Sequence, residues 1–477
     1  MPMQDLIYLS ATEALLLFRS CELSPVELLA ALIERAEAVE PRINAFAERM
    51  FEDAMQQARA AEARYCGCGA PPRPLEGLPV AVKAGQPIAG RAMTEGSLLY
   101  RDCVADVTHP VVERVVAAGA IVHARTTTPE FGCATFTHTK LWGVTRNPWN
   151  LDYSPGGSSG GAGAALAAGT APLATGSDIG GSIRVPASFS GVVGFKPPYG
   201  RVPALPPWNL DHYCHDGPLA RTVADCALLQ NVIAGPHPVD VVSLRPAVRL
   251  PAQLGGIEGW RIALCLQLGD YPLEPEVEAN TRAAADALSE AGAVIEEVEL
   301  SWSRSDLMRA SWAHYAAIFT ASAVDELDEQ AEMLMPYTRA FFKDARAVSQ
   351  ETSFLEGLEI EGRLYAELGQ ILEDYDALVC PTTAIPALLA GEDYVETKVT
   401  VDGVVLDDYF EAILTIAFNI ASRCPVLAVP SGRAGGGLPT GMQIVGPTYE
   451  DERVFRIGAA LEQVRPWFGD PTWRPPL

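Results

Sequence analysis

Two segments near the middle of the chain combine serine side chains, which can act as nucleophiles, with a high content of glycine. The first runs from Ser154 to Gly161 as Ser-Pro-Gly-Gly-Ser-Ser-Gly-Gly, and the second runs from Ser177 to Arg184 as Ser-Asp-Ile-Gly-Gly-Ser-Ile-Arg. Glycine loses more conformational entropy on folding than other residues, so its repeated use indicates backbone geometry that a side chain would block. We therefore expect a close approach to the main chain at both segments.

A phosphate-binding loop is one interpretation of these segments. Such a loop needs a glycine-rich turn that ends in Gly-Lys followed by Ser or Thr and opens a helix. Neither segment contains that lysine. The sequence therefore disfavours phosphate binding.

A nucleophile elbow of the α/β-hydrolase type is a second interpretation, because residues 156–160 fit the pattern G-x-S-x-G. That enzyme class needs an acidic residue and then a histidine downstream. The available histidines are His212, His215, His237 and His314, and the last third of the chain has none. The elbow also leaves the second Gly-Gly-Ser unexplained.

In the third interpretation both segments belong to one site, and here the chain resembles the amidase signature family. The hallmark of that family is Gly-Gly-Ser-Ser-Gly-Gly, then Asp-(Ile/Thr)-Gly-Gly-Ser-(Ile/Val)-Arg, with a lysine well upstream at the end of an apolar strand. Lys83 ends the apolar run 78–82, and Ser158 and Ser182 follow in the order of the family. Similar segments occur along nearly the whole chain, at residues 24–28, 128–131, 147–150, 194–197, 199–202, 217–223 and 437–447.

The resemblance implies a role for each member of a Ser-cisSer-Lys triad. An amide is a poor electrophile with a poor leaving group, so its hydrolysis needs an activated nucleophile and a proton for the departing nitrogen. Ser182 would attack the carbonyl and carry the acyl group, while Ser158, on a cis peptide bond, would relay protons to and from Lys83. Lys83 acts as a base only when neutral, so burial must lower its pKa.

The resemblance also implies an oxyanion hole and supporting residues around Ser182. The hole would consist of backbone N–H groups of residues 179–182, which are Ile179, Gly180, Gly181 and Ser182. Asp178 and Arg184 would pair to hold this loop, and Ser159 would bond nearby main chain. Ala84 departs from the family, since many members have an acidic residue directly after the lysine; position 84 therefore receives no role.

The expected activity is hydrolysis of an amide, an aryl amide (anilide) or a carbamate (urethane), with esters as easier side substrates. Aromatic residues expected near the pocket favour an apolar substrate; they are Phe131, Phe136, Trp142, Trp208 and Tyr213. The alternative is a glutaminase that resembles the amidotransferase members of the family and acts in a complex. The glutamine-using branch often has Ser-Leu-Asp-Gln before Gly-Pro, whereas residues 212–216 here are His-Tyr-Cys-His-Asp. A catalytically inactive binding protein is disfavoured because all three triad residues are present.

The elements that must position these residues follow an α/β pattern. Ser24, Pro25 and Glu27 predict a helix start, with a helix over 25–38 and a second over 45–65. Buried strands are predicted at 78–82, 120–123, 262–266, 377–380, 426–429 and 443–445. A helix is predicted over 274–291, followed by a strand-like segment at 294–298. The resemblance implies the amidase signature fold, a large mixed mostly parallel β-sheet covered by helices on both faces. We expect one domain, in which an N-terminal helical segment (1–70) packs on the α/β core (71–477), and surface loops or a lid at 236–251 and 391–407.

The composition restricts partners and cofactors. A formal charge of -25 from 35 basic and 60 acidic residues disfavours nucleic acid and anionic membrane as partners. No signal peptide or membrane span is evident, so we expect a cytoplasmic monomer or homodimer that binds a small-molecule amide or carbamate. Ten scattered cysteines suit free thiols. We expect no cofactor and no metal, because Cys66 and Cys68 lack a second pair and His212, Cys214 and His215 lack further spaced ligands.

Overall fold

The computed structural model describes residues 3–319 and 330–477. Its centre is an eleven-stranded sheet with the order β1-β3-β2-β6-β8-β7-β14-β15-β11-β9-β10. These strands are β1 (Phe46–Arg49), β2 (Pro79–Lys83), β3 (Ile121–Thr126), β6 (Leu173–Asp178), β7 (Val193–Lys196), β8 (His215–Ala220), β9 (Arg261–Leu264), β10 (Val294–Glu297), β11 (Ala377–Pro381), β14 (Val426–Arg433) and β15 (Pro439–Val445). Two small hairpins lie outside this sheet: β4 (His138–Thr139) with β5 (Gly143–Val144), and β12 (Thr400–Val401) with β13 (Val404–Val405).

The sheet is mixed, as predicted. Strand β2 pairs in parallel with both β3 and β6, and β9 pairs in parallel with both β10 and β11. Antiparallel pairs connect these two groups through β6, β8, β7, β14, β15 and β11, and also attach β1 to β3. Every residue of β2, β3, β8, β11 and β15 is buried, which is expected of strands with both faces covered.

The helices cover this sheet, and several share one apolar core cluster with its strands. They are α1 (Met3–Leu6), α2 (Ala11–Ser20), α3 (Pro25–Ile43), α4 (Phe51–Tyr65), α5 (Pro110–Ala117), α6 (Gly160–Ala167), α7 (Arg184–Ser190), α8 (Val223–Ile233), α9 (Pro275–Glu290), α10 (Arg304–Phe319), α11 (Pro336–Glu351), α12 (Phe354–Asp374), α13 (Ala417–Ile420) and α14 (Asp451–Val464). No helix in the described part of the chain is long and apolar enough to cross a bilayer.

The N-terminal segment differs from the prediction in one respect. Helix α3 starts with the expected capping box between Ser24 and Glu27. It extends to Ile43, where Asn44 adopts a left-handed backbone, and the next residues form strand β1 rather than more helix. The prediction of one helix over 45–65 is therefore wrong at its start, because the Glu40 carboxylate accepts the N–H groups of residues 45 and 46 and β1 pairs with β3.

The predicted strands correspond to β2, β3, β9, β10, β11, β14 and β15, and the predicted helix over 274–291 is α9. Strands β6, β7 and β8 were not predicted from the sequence. Each contains glycine, and β6 and β8 also contain polar residues, so they lack the continuous β-branched run that marks a buried strand. Of the two predicted loops, the segment 391–407 carries the β12–β13 hairpin, whereas residues 236–251 form neither helix nor strand.

Arg221, which follows strand β8, joins distant parts of the chain. Its guanidinium donates to the carbonyl of Leu9 at 2.8 Å and to that of Ala171 at 2.6 Å. The indole of Trp467 donates to the backbone carbonyl of Arg221 at 3.0 Å. Two segments more than 450 residues apart are thus attached to one buried residue beside the sheet.

Candidate active site

Lys83 is the last residue of β2, which lies between β3 and β6 in the sheet. The residue is only 3% exposed. Its ammonium nitrogen Nζ donates to Ser158 Oγ at 2.6 Å and to Ser177 Oγ at 2.8 Å. Both acceptors are neutral hydroxyls, so no carboxylate of the described residues bonds directly to the amine.

Burial lowers the pKa of Lys83 from 10.5 to about 8, because a low-dielectric surrounding disfavours the charged amine. The carboxylates of Asp216, Glu95 and Asp178 oppose this effect from a greater distance. The amine is therefore close to the protonation balance that a general base needs near neutral pH.

Ser158 lies just before α6, and the Gly157–Ser158 peptide bond is cis. The chain passes so close to its neighbours here that a Cβ on Gly157 would lie 2.5 Å from the carbonyl oxygen of Phe136. A Cβ on Gly160 would lie 2.2 Å from Thr137 Oγ1. These contacts explain why the first segment tolerates only glycine at these two positions.

Ser182 lies in the loop between β6 and α7 and is 7% exposed. It lines a cavity of about 20 Å³ together with Gly132 and Gly180. A Cβ on Gly132 would lie 3.6 Å from Ser158 Oγ, so the Ser158 hydroxyl adjoins the wall of this cavity. The backbone N–H of Ser159 also donates to the carbonyl of Ser182 at 3.1 Å, which ties the two serine segments together.

The backbone N–H groups of the Ser182 loop are not equivalent. The N–H of Gly181 donates to Asp178 Oδ1 at 2.8 Å. Those of Ile179, Gly180 and Ser182 have no acceptor among the residues that the structure describes. Gly181 has a φ of 125°, and a Cβ there would lie 1.9 Å from Thr415 Oγ1, so this position requires glycine.

Asp178 and Arg184 form a fully buried ion pair that supports the same loop. Arg184 donates to both carboxylate oxygens, through Nη2 at 2.9 Å and Nε at 3.0 Å. Arg184 also donates to Asn419 Oδ1 and Gln443 Oε1, each at 2.7 Å. The guanidinium holds the pKa of Asp178 far below its usual range despite burial, so the pair stays ionised and the loop stays anchored to the neighbouring strands and to α13.

Ser177 is a site residue that the sequence reasoning missed. Its hydroxyl oxygen accepts from Lys83 Nζ, and its backbone carbonyl accepts from the Ser159 hydroxyl at 3.3 Å. Its neighbour two residues earlier, Thr175, bonds to Gln86, which donates to Asp216 at 2.6 Å. The signal for Ser177 was its position directly before Asp178 at the end of β6, where its hydroxyl faces the lysine of the adjacent parallel strand.

The aromatic residues around Ser182 are not those expected from the sequence. The rings that line its cavity are Tyr315, Phe319, Phe341 and Phe410. None of the five expected aromatic residues lines it: Phe136 and Tyr213 are fully buried in the core, Trp208 is exposed, and Phe131 and Trp142 are half-buried. The lining rings come from α10, α11 and a loop before α13, which are remote in sequence from the serine segments.

One group of side chains could hold a metal ion in the described part of the chain. Asp211, His212 and His314 each offer a ligand atom, and these atoms lie within 4.8 Å of one another. His314 Nε2 is bonded to Asp211 Oδ1 at 2.7 Å, and the His314 ring stacks on Tyr213 with 3.8 Å between centroids. His212 thus has two neighbouring donor side chains, Asp211 and His314, that the spacing of the sequence did not reveal, and the absence of a metal stays a prediction.

Known proteins resemble this chain along nearly its whole length. The Amidase family model matches residues 27–455. An acylamidase of Rhodococcus erythropolis is 34% identical over 97% of both chains, and the A subunit of the glutamyl-tRNA(Gln) amidotransferase of Roseiflexus castenholzii is 33% identical over 98% of this chain and 97% of its own. The crystal structure of a bacterial aryl acylamidase of the amidase signature family superposes with a TM-score of 0.89 at 30% identity, covering 98% of this chain and 99% of that one. The chain belongs to the amidase signature family.

Proposed function

We propose that this protein hydrolyses carbon–nitrogen amide bonds, in anilides, simple amides or carbamates, through a covalent acyl intermediate on Ser182. The observation that carries the proposal is the 2.6 Å hydrogen bond between the buried Lys83 amine and Ser158 Oγ, beside the cavity lined by Ser182. A lysine held in this way can exchange protons through a hydroxyl with a second hydroxyl nearby. The relatives identified as an acylamidase and an aryl acylamidase support the same chemistry.

Acylation begins with neutral Lys83, which takes the proton of Ser158 as Ser158 takes that of Ser182. The Ser182 oxygen then forms a bond to the substrate carbonyl carbon, and the carbonyl oxygen becomes an anion. Collapse of this intermediate breaks the carbon–nitrogen bond, and the proton returns through Ser158 to the departing nitrogen. Water repeats the sequence on the acyl-Ser182 ester and releases the acid.

The oxyanion would be bound by the free N–H groups of Ile179, Gly180 and Ser182. The N–H of Gly181 was also predicted for this role, but it is already bonded to Asp178, so Gly181 serves the loop conformation instead in this proposal. Asp178 and Arg184 position the loop and do not touch the substrate.

Glutaminase activity in a complex is the second candidate, because a relative at 33% identity belongs to a glutamyl-tRNA(Gln) amidotransferase. Against it, residues 212–216 depart from the Ser-Leu-Asp-Gln pattern of that branch. Four aromatic rings line the Ser182 cavity, which suits an apolar substrate better than the polar side chain of glutamine.

The test is a substrate panel on the purified chain alone, with products identified by mass spectrometry. The panel contains a para-nitroanilide, a primary amide, an aryl carbamate, an ester and free glutamine. A fluorophosphonate probe followed by peptide mapping identifies the nucleophile. Ser349, which lies on the exposed face of α11, provides the matched control variant Ser349→Ala.

We expect anilide, ester or carbamate turnover, a probe label on Ser182, and loss of both in Ser182→Ala but not in Ser349→Ala. Ser182→Ala should lower kcat by at least about a thousandfold, as removal of a serine nucleophile does in other hydrolases. A label on another serine would refute the assignment of the nucleophile. Turnover of glutamine alone would favour the second candidate.

A further inference from the structure

A second cavity adjoins the one that Ser182 lines. It has a volume of about 80 Å³ and lies between α10, α11 and the segment 393–410. Six aromatic side chains form much of its wall: Trp312, Tyr337, Phe341, Tyr394, Tyr409 and Phe410. Phe341 and Phe410 line both cavities, so these two rings form the partition between them.

The second cavity has a strong excess of negative charge. Four carboxylates line it, those of Asp344, Asp393, Asp407 and Asp408, against one cationic side chain, that of Lys398. Lys398 donates to the backbone carbonyl of Asp407 and not to a carboxylate.

Most of these carboxylates form no ion pair among the described residues, although Lys398 acts on Asp344 and Asp408 from a greater distance. Asp393 bonds to His138 Nε2 at 2.7 Å. Asp408 accepts only the backbone N–H of Phe410, at 2.9 Å, and neither Asp344, Asp407 nor Asp408 forms an ion pair within the described residues. Burial raises the pKa of Asp408 to about 6 and also raises that of Asp344. A cation in this cavity would favour the ionised form of these carboxylates.

A cavity that combines aromatic rings with carboxylates suits an organic ammonium group. A cation is attracted to the electron-rich face of an aromatic ring, and this attraction strengthens when the cation leaves water. The Tyr409 and Phe410 rings stack at 4.5 Å between centroids, and Tyr394 lies 5.8 Å from Tyr409, so the rings form a continuous wall. A neutral apolar group would find the same rings but would leave the carboxylates unpaired.

We propose that the amide substrate of this enzyme carries a protonated amine, which binds in this second cavity while the carbonyl reaches Ser182. This inference rests on the proposed amide hydrolysis and specifies the substrate class. The cavity at Ser182 is narrow, about 20 Å³, and it shares Phe341 and Phe410 with the larger cavity. Displacement of Phe341 and Phe410 joins the two cavities into one elongated site.

The test compares substrates that differ only at the remote end. One series consists of para-nitroanilides of ω-amino acids of increasing chain length, each paired with the straight-chain acid in which a methyl replaces the ammonium. A second series places the same difference on the leaving group, in monoacetylated diamines against acetylated alkylamines. A carboxylate-ended member of each series reports the effect of the opposite charge.

We expect kcat/KM to be at least about tenfold higher for the ammonium member than for its methyl partner at one chain length, and lowest for the carboxylate member. Asp408→Asn keeps a side-chain acceptor for the Phe410 N–H, so the backbone there is preserved while the charge is removed. This variant should lower the ammonium-to-methyl ratio several-fold. Asp306→Asn, on α10 but outside the cavity, should leave the ratio unchanged.

Equal or lower kcat/KM for the ammonium member in both series would overturn the inference while leaving amide hydrolysis intact. Failure of every substrate, including the methyl-ended ones, would instead refute the proposed function and the inference with it. A wild-type preference that Asp408→Asn does not reduce, in a variant that melts at the wild-type temperature, would also overturn the assignment of this cavity.

Discussion

The pH dependence of the reaction tests the role of Lys83 most directly. Burial lowers the pKa of this lysine from 10.5 to about 8, which corresponds to roughly 3 kcal/mol in favour of the neutral amine. At pH 7 about one molecule in ten then carries a neutral lysine, against about one in three thousand for an unperturbed lysine. We therefore expect kcat/KM to rise about tenfold per pH unit below pH 8 and to level off above it.

The variant Asp216→Asn tests whether nearby charges influence the pKa of Lys83. Among the nearby charges, Asp216 has the largest effect in raising the pKa of Lys83. Its neutralisation should therefore move the rise of kcat/KM to lower pH, by up to about one pH unit. Asp286→Asn, on the exposed side of α9, is the control. The assay is the initial rate on a para-nitroanilide between pH 6 and pH 10. A rise of kcat/KM that levels off only near pH 10, or a shift of this rise to higher pH in Asp216→Asn, would refute the assigned role of Lys83.

Three further predictions follow from the burial and close packing of the site. Lys83→Met should abolish turnover yet raise the free energy of unfolding at pH 7 by up to about 3 kcal/mol, and this gain should shrink as the pH rises from about 8 to 10.5, in urea titrations at each pH. Gly181→Ala should lower kcat about a hundredfold by displacing the N–H groups of the neighbouring residues, and it should also lower the free energy of unfolding, because its Cβ would overlap Thr415 at a positive φ. Gly362→Ala, with open space around it, should leave kcat unchanged. Arg184→Met leaves the buried Asp178 carboxylate without its cationic partner and should lower the free energy of unfolding by about 3–5 kcal/mol. A loss below about 1 kcal/mol would contradict the described pairing.

The sequence carried much of the information about the site because its chemistry is local. Ser158 and Ser182 each lie in a glycine-rich segment whose bare backbone is needed for contacts with Phe136, Thr137 and Thr415. The aromatic wall could not be predicted in the same way. Its rings lie on separate elements, and only the packing of α10 and α11 brings them to Ser182.

The fold was predictable where strands are continuous apolar runs, as in β2 and β11. Strands β6 and β8 were missed because they contain Gly, Ser, Asp, Pro and His, which have low strand propensity or are polar, instead of a continuous β-branched run. Strand β1 was missed for another reason: its residues favour a helix locally, and only pairing with β3 makes them a strand.

The contacts of Arg221 with Leu9 and Trp467 constrain the order in which the protein folds during synthesis. The guanidinium is almost fully buried, yet part of its covering comes from Leu9, and the backbone at 221 is held by Trp467. During synthesis from the N-terminus, this junction stays open until residue 467 has left the ribosome. This corner therefore closes after β14 and β15 have completed the sheet, and removal of the N-terminal segment would leave the Arg221 guanidinium without one of its backbone acceptors.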